Sequence, residues 1–116
     1  MFSLTPSGKL TVLHAFEGGA DGELPSASLT NLAGTLYSTT VSNGADCAIN
    51  VCGTVFSLTP AGTESVVYAF GDVPDGEEPL TDGLTNVGGT LYGTTAGGNS
   101  AGICNGGWGT VFSVTP

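Results

Sequence analysis

The chain has no arginine and a single lysine, Lys9, against ten acidic residues, for a formal net charge of −9. A chain so poor in cations repels phosphate and lacks the guanidinium fork that grips anionic ligands, which excludes nucleic acid as a partner. Charged residues of both signs make up only 9% of the sequence, well under the usual quarter or so. The surface must therefore be built from Ser, Thr, Asn and Gly. No apolar run is long enough for a membrane span, and no basic-then-apolar leader follows Met1. Helix-forming runs of Ala, Leu, Glu and Lys are missing as well. Three cysteines and one histidine fall short of a zinc site, which needs four such ligands at fitting spacing. The nucleophile-elbow, phosphate-loop and dinucleotide fingerprints are absent.

What is present is glycine, 20 of 116 residues, with 40% hydrophobic content. That is enough for the core of one ordinary domain with many tight turns. The strongest signal is repetition. "MFSLTP" (Met1–Pro6) returns as "GTVFSLTP" (Gly53–Pro60) and again as "GTVFSVTP" (Gly109–Pro116). With Phe2, Phe56 and Phe112 aligned, "LTVLHAF" falls on "ESVVYAF" and "DGELP" on "DGEEP". "SLTNLAGTLYSTT" likewise falls on "GLTNVGGTLYGTT". The unit is about 55 residues, near the repeat length of propeller blades. Units span 2–55 and 56–111, and 112–116 begins a third. The opening phrase lacks the "GTV" of its later copies, which reads as a piece cut from a longer polypeptide.

Each unit reads as four short strands. A (SLTNL) and B (LYSTT) flank a two-residue turn, Ala33-Gly34 or Gly88-Gly89. C (GTVFSL) and D (TVLHAF) flank a Pro-Gly turn. Strict alternation puts Val12, His14 and Phe16 on one face of D, and Val66, Tyr68 and Phe70 together in its copy. Long loops B–C and D–A then share one end, and tight turns share the other. The expected fold is all-β and β-propeller-like: antiparallel four-stranded blades in the order C-D, A-B-C-D, A-B-C. Two such units leave apolar flanks that only further units can cover. Roughly three or four copies would close a ring of about six or eight blades.

The phrases "GTLYGTT", "GTVFSLTPAG", "VVYAF" and "DG…P…GL" resemble the GloVer repeat of secreted or surface-anchored bacterial proteins. The resemblance covers nearly the whole chain. It implies a propeller-like array in an exported, extracellular protein, and no activity. An oxidising compartment in turn implies a Cys47–Cys52 disulfide across the first B–C loop. Cys104 lacks a counterpart, because Trp108 stands where Cys52 stood; it is a free thiol or a link between chains.

The long-loop end carries the candidate binding residues. Trp108 offers a face for stacking on a sugar ring or for capping its loop. Asp21, Glu23, Asp75, Glu77 and Glu78 repeat on the D–A loops, where carboxylates suit a hard cation such as Ca²⁺, although Asp-Gly is first a turn signal. His14, on a strand beside Val and Phe, reads as packing, with no partner base or nucleophile to assign. The leading reading is a non-catalytic scaffold or binding module whose partners are its own copies, with a glycan or cation on the loops. The alternatives are a carbohydrate-active enzyme using loop carboxylates and a fibre-forming subunit whose rotation fails to close.

Overall fold

Two turns fix the pairing of each A strand with its B strand. Ala33 and Gly34 both take left-handed backbone, with φ of 52° and 90°, and Gly88 and Gly89 repeat this at 59° and 91°. That is the geometry whose twist matches a two-residue hairpin. Each turn is tied by an asparagine. Asn31 Oδ1 accepts from the Gly34 N–H and Asn86 Oδ1 from the Gly89 N–H, both at 3.0 Å.

The computed structural model describes residues 1–44, 52–71, 76–79, 82–97 and 108–116. The described residues are all-β, without a helix, and form antiparallel sheets that do not close into a barrel. β1 (Phe2–Leu4) and β2 (Leu10–Val12) make a two-stranded sheet. β3 (Thr30–Leu32), β4 (Thr35–Thr40), β5 (Thr54–Leu58) and β6 (Glu64–Ala69) make the middle sheet, in that order. These are strands A, B, C and D in the expected sequence. The last sheet joins β7 (Glu77–Pro79), β8 (Thr85–Val87), β9 (Thr90–Gly97) and β10 (Val111–Val114). Here β8, β9 and β10 are A, B and C.

β7 was not foreseen. It pairs with the far end of β9, Glu77 opposite Gly97 and Pro79 opposite Thr95, while β8 pairs with the near end. The first unit has the same feature in reduced form, a lone bridge between Glu23 and Ser42. The D–A loops are therefore strapped into the sheets by backbone hydrogen bonds. Leu24 and Glu78, at the same repeat position, both hold positive φ, 58° and 53°, which costs a residue with a Cβ about 1–2 kcal/mol.

Strand D departs from the expected alternation. Val55 stands opposite Tyr68 but Phe56 opposite Val66, so β6 carries an extra residue at this point. This is a β-bulge, and it turns Val66 and Tyr68 to opposite faces. Period-2 patterning alone does not register such an insertion. In the first unit the strand ends at Val12, and Leu13–Phe16 continue past it as irregular chain.

The sheets stack through repeated contacts. Phe16 meets Phe56 edge-on at 5.0 Å between ring centroids, and one repeat later Phe70 meets Phe112 at 5.1 Å. Ser28 Oγ donates to the Asp82 carbonyl (3.2 Å), and Thr30 Oγ1 donates to the Leu84 carbonyl. The core lies between the middle and last sheets: Tyr37, Cys52, Val55, Phe70, Leu84 and Leu91 are buried, with Leu32, Val67, Phe112 and Val114 packed against them.

Equivalent strands differ in how many faces are covered. In β4, Tyr37 to Thr40 are all buried. In β9 burial alternates residue by residue, so one face is covered and the other is bare. The bare face presents Val87, Tyr92 and Val111, whose counterparts in the middle sheet are Leu32, Tyr37 and Val55. Tyr37 is 9% exposed and Tyr92 42%; Val55 is fully buried and Val111 is 78% exposed.

Candidate binding face

Where strands B and C meet the long loops, each unit has a threonine pair. Thr40 and Thr54 hydroxyls hydrogen-bond at 2.9 Å, and the Thr54 N–H donates to Thr40 Oγ1 at 2.9 Å. Thr95 and Thr110 repeat both bonds at 2.8 and 2.9 Å. The glycine of the Asp-Gly phrase in each D–A loop sits on this pair. A Cβ on Gly22 would fall 2.2 Å from Thr40 Oγ1, and one on Gly76 2.7 Å from both Thr95 Oγ1 and Thr110 Oγ1. Glycine is required there by the close approach itself. The pairs were legible in principle, since Thr closes strand B and opens strand C in both units.

Asp21 is committed to its own loop. Its Oδ2 accepts from the Glu17 N–H (3.0 Å) and its Oδ1 from the Gly19 N–H (3.2 Å). His14 Nε2 lies 3.3 Å from Oδ2. Partial burial pushes the Asp21 carboxyl up, but the two N–H donors and His14 outweigh it and hold it below its ordinary value. His14 therefore has an acid partner that the sequence reading did not assign, and it also packs edge-on to Phe16 at 4.7 Å. Glu64, at the start of β6, shares this neighbourhood. Burial pushes its carboxyl up, with Asp21 adding to the shift and His14 opposing it, and its buried Oε1 has no hydrogen-bond partner among the described residues. Glu23 is exposed and accepts from Asn43 Nδ2 at 2.9 Å; the same amide donates to the Gly18 carbonyl at 3.1 Å. One side chain thus ties two points of the D–A loop to the start of the B–C loop.

In the second unit Glu77 is half-buried and Glu78 exposed on β7. Trp108 is 74% exposed, two residues before Thr110. The structure thus puts Asp21 and Glu23 at the loop end of the middle sheet, and Glu77, Glu78 and Trp108 at the same end of the last sheet. Asp75, Cys47 and Cys104 lie outside the described residues. Among the described residues no three His, Cys, Asp or Glu gather to hold a metal ion, and no helix is long and apolar enough to cross a membrane. Cys52 is fully buried in the core. Its bridge to Cys47 stays a proposal, because the expected partner is not among those residues.

The repeat evident in the phrases, the turns and the threonine pairs has a known counterpart. The family model described as the Gloeobacter/Verrucomicrobia repeat matches residues 1–116. No curated protein and no solved structure matches the chain. The chain belongs to the Gloeobacter/Verrucomicrobia repeat family.

Proposed function

We propose that this chain is a non-catalytic module of a β-propeller-like array in an exported bacterial protein, with the loop end of its sheets as the binding surface. One observation carries this reading: β9 has the sequence of a strand buried on both faces, as β4 is, yet one of its faces is bare. A further sheet stacked as the last one stacks on the middle one would cover that face. The close approach of strands A in neighbouring sheets, through Thr30 and Leu84, also suits blades that converge on an axis.

Light scattering tests the array. Particles of several copies are expected, and a lone protomer that melts cooperatively with Val111 protected from exchange would refute it. Trp108 is the proposed contact for a glycan, through stacking of its exposed ring. Binding on a glycan array that survives Trp108→Ala undiminished removes it from that role. Turnover of a polysaccharide, abolished by Glu77→Gln, would move the protein to the enzymes.

A further inference from the structure

One asparagine joins three segments at the long-loop end of the middle sheet. The first D–A loop is held to the end of β4 by backbone bonds. The Glu23 N–H donates to the Ser42 carbonyl (2.8 Å), the Ser42 N–H to the Glu23 carbonyl (3.3 Å) and the Val41 N–H to the Leu24 carbonyl (3.2 Å). Asn43 follows directly and adds its side chain to this strap. Its Nδ2 donates to the Gly18 carbonyl at 3.1 Å and to Glu23 Oε2 at 2.9 Å. Its own carbonyl accepts from the Gly53 N–H at 2.8 Å, just before β5 begins.

The backbone at this point admits few residues. Asn43 has a φ of 57°, a left-handed value that asparagine takes more readily than most residues with a Cβ. Gly44 has a φ of 125°, and a Cβ on it would stand 3.2 Å from both the Gly53 carbonyl oxygen and Thr54 Cγ2. The turn therefore calls for Asn followed by Gly. That dipeptide is also chemically labile, because glycine leaves the following peptide nitrogen unshielded beside the side-chain amide.

We infer that Asn43 is a self-modification site: its deamidation unfastens the D–A loop, and the fold holds the reaction back. The Gly44 nitrogen attacks Asn43 Cγ, and Nδ2 leaves as ammonia. Water then opens the five-membered imide at one carbonyl or the other, giving aspartate or isoaspartate. In sum one water enters and one ammonia departs. The leaving nitrogen is the atom bound to Gly18 and Glu23, so both native contacts must let go before it departs. Afterwards they do not re-form. A carboxylate has no hydrogen to give the Gly18 carbonyl, and it meets the Glu23 carboxylate as a like charge. Isoaspartate also adds a methylene to the main chain, which displaces the carbonyl that receives the Gly53 N–H. The repeat counterpart of Asn43 is Gly98, so the second unit has no amide at this position. The site does not depend on the array.

Peptide mapping by mass spectrometry tests this. Asn43 is followed in warm, mildly alkaline buffer, folded and in urea, and mapping separates it from the other Asn-Gly, Asn105-Gly106. Asn43 is expected to convert readily in urea and, by about tenfold or better, more slowly in the folded protein, where the reaction waits for the loop to open. The converted protein, separated by its extra negative charge, should melt at a lower temperature and exchange its Glu23 and Ser42 N–H groups faster. Asn43→Asp should reproduce that loss. Adding Glu23→Gln should recover part of it, since glutamine donates to the new carboxylate. If Asn43→Asp fails to fold, the converted fraction of the unaltered chain carries the same comparison. Equal rates in the folded protein and in urea overturn the protection. A converted protein with unchanged melting and exchange overturns the release, and no recovery with Glu23→Gln overturns the charge clash as its cause.

Discussion

Val55 and Val111 are the same residue of the repeat, each in "GTVF", and they differ in cover alone. Val55 is fully buried in the core, and Val111 is 78% exposed. Truncating Val55 to Ala removes two methyl groups, at about 0.8 kcal/mol each in transfer. The cavity left behind brings the total to about 2–3 kcal/mol. Val111→Ala removes the same atoms from a surface that water already wets. In dilute protein its effect on stability should stay within about 0.5 kcal/mol. In the proposed array Val111 is covered, and the same truncation should weaken association by about 1–2 kcal/mol, roughly tenfold in Kd. Urea unfolding in dilute protein measures the first pair of values, and light scattering across a dilution series measures the second. Equal destabilisation of the dilute protein by both substitutions would mean that Val111 is already covered. Association untouched by Val111→Ala would mean that particles form through some other surface.

Further outcomes follow from the polar seams, the turns and the two shifted carboxyls. Thr40→Val leaves the buried Thr54 N–H without its partner and the Thr54 hydroxyl with only a long bond, 3.5 Å, to the Asp21 carbonyl, and should cost about 1–3 kcal/mol in urea unfolding; Thr95→Val should cost less, because Thr110 is only half-buried. Asp21 is held below its ordinary value of 3.8, so its contribution is present above that pH and is lost as pH falls through the lower folded value. Asp21→Asn should accordingly flatten the acid limb of the melting curve. Glu64 is raised above 4.5, so its charged form weighs against the fold at neutral pH, and this is relieved as pH falls through the raised value. Glu64→Gln should raise the melting temperature at neutral pH and change it little in acid. Ala33→Asn, which suits the left-handed first position of its turn, should stabilise by about 0.5–1 kcal/mol in the same unfolding assay.

The strand order was legible because its determinants are local. Two turn residues with positive φ, and the same phrase at a fixed spacing, determine which strands pair. What escaped the sequence is whatever depends on a neighbour in space. The bulge at Val55 and Phe56 keeps Val66 and Tyr68 apolar while turning them to opposite faces, so the pattern gives no sign of it. β7 is three residues, one of them Pro79, in a stretch that reads as a loop; only its approach to β9 makes it a strand. His14 and Asp21 are seven residues apart across an irregular segment, and no periodicity brings them together. Strand B carries nearly the same residues in both units, TLYSTT and TLYGTT, but only in β4 are Tyr37 to Thr40 all buried. In β9 one face is bare, because burial depends on a neighbouring sheet that no residue pattern within the strand reveals.

The seam also narrows what the loop end is able to recognise. Asp-Gly recurs at Asp21-Gly22 and Asp75-Gly76, and both glycines lie where a Cβ would collide with a threonine of the B–C pair. The recurrence of Gly therefore follows from packing and needs no ligand to explain it. Asp21 spends its oxygens on two backbone N–H groups and His14, and Glu23 spends one on Asn43. An acidic loop built this way holds its own backbone first. Among the described candidate residues of the last sheet, Glu78 and Trp108 are exposed, a carboxylate and an aromatic face at the same end. A sugar ring, with an apolar face to stack and hydroxyls to donate, fits that pair better than a hard cation, which would need several carboxylate oxygens free at once.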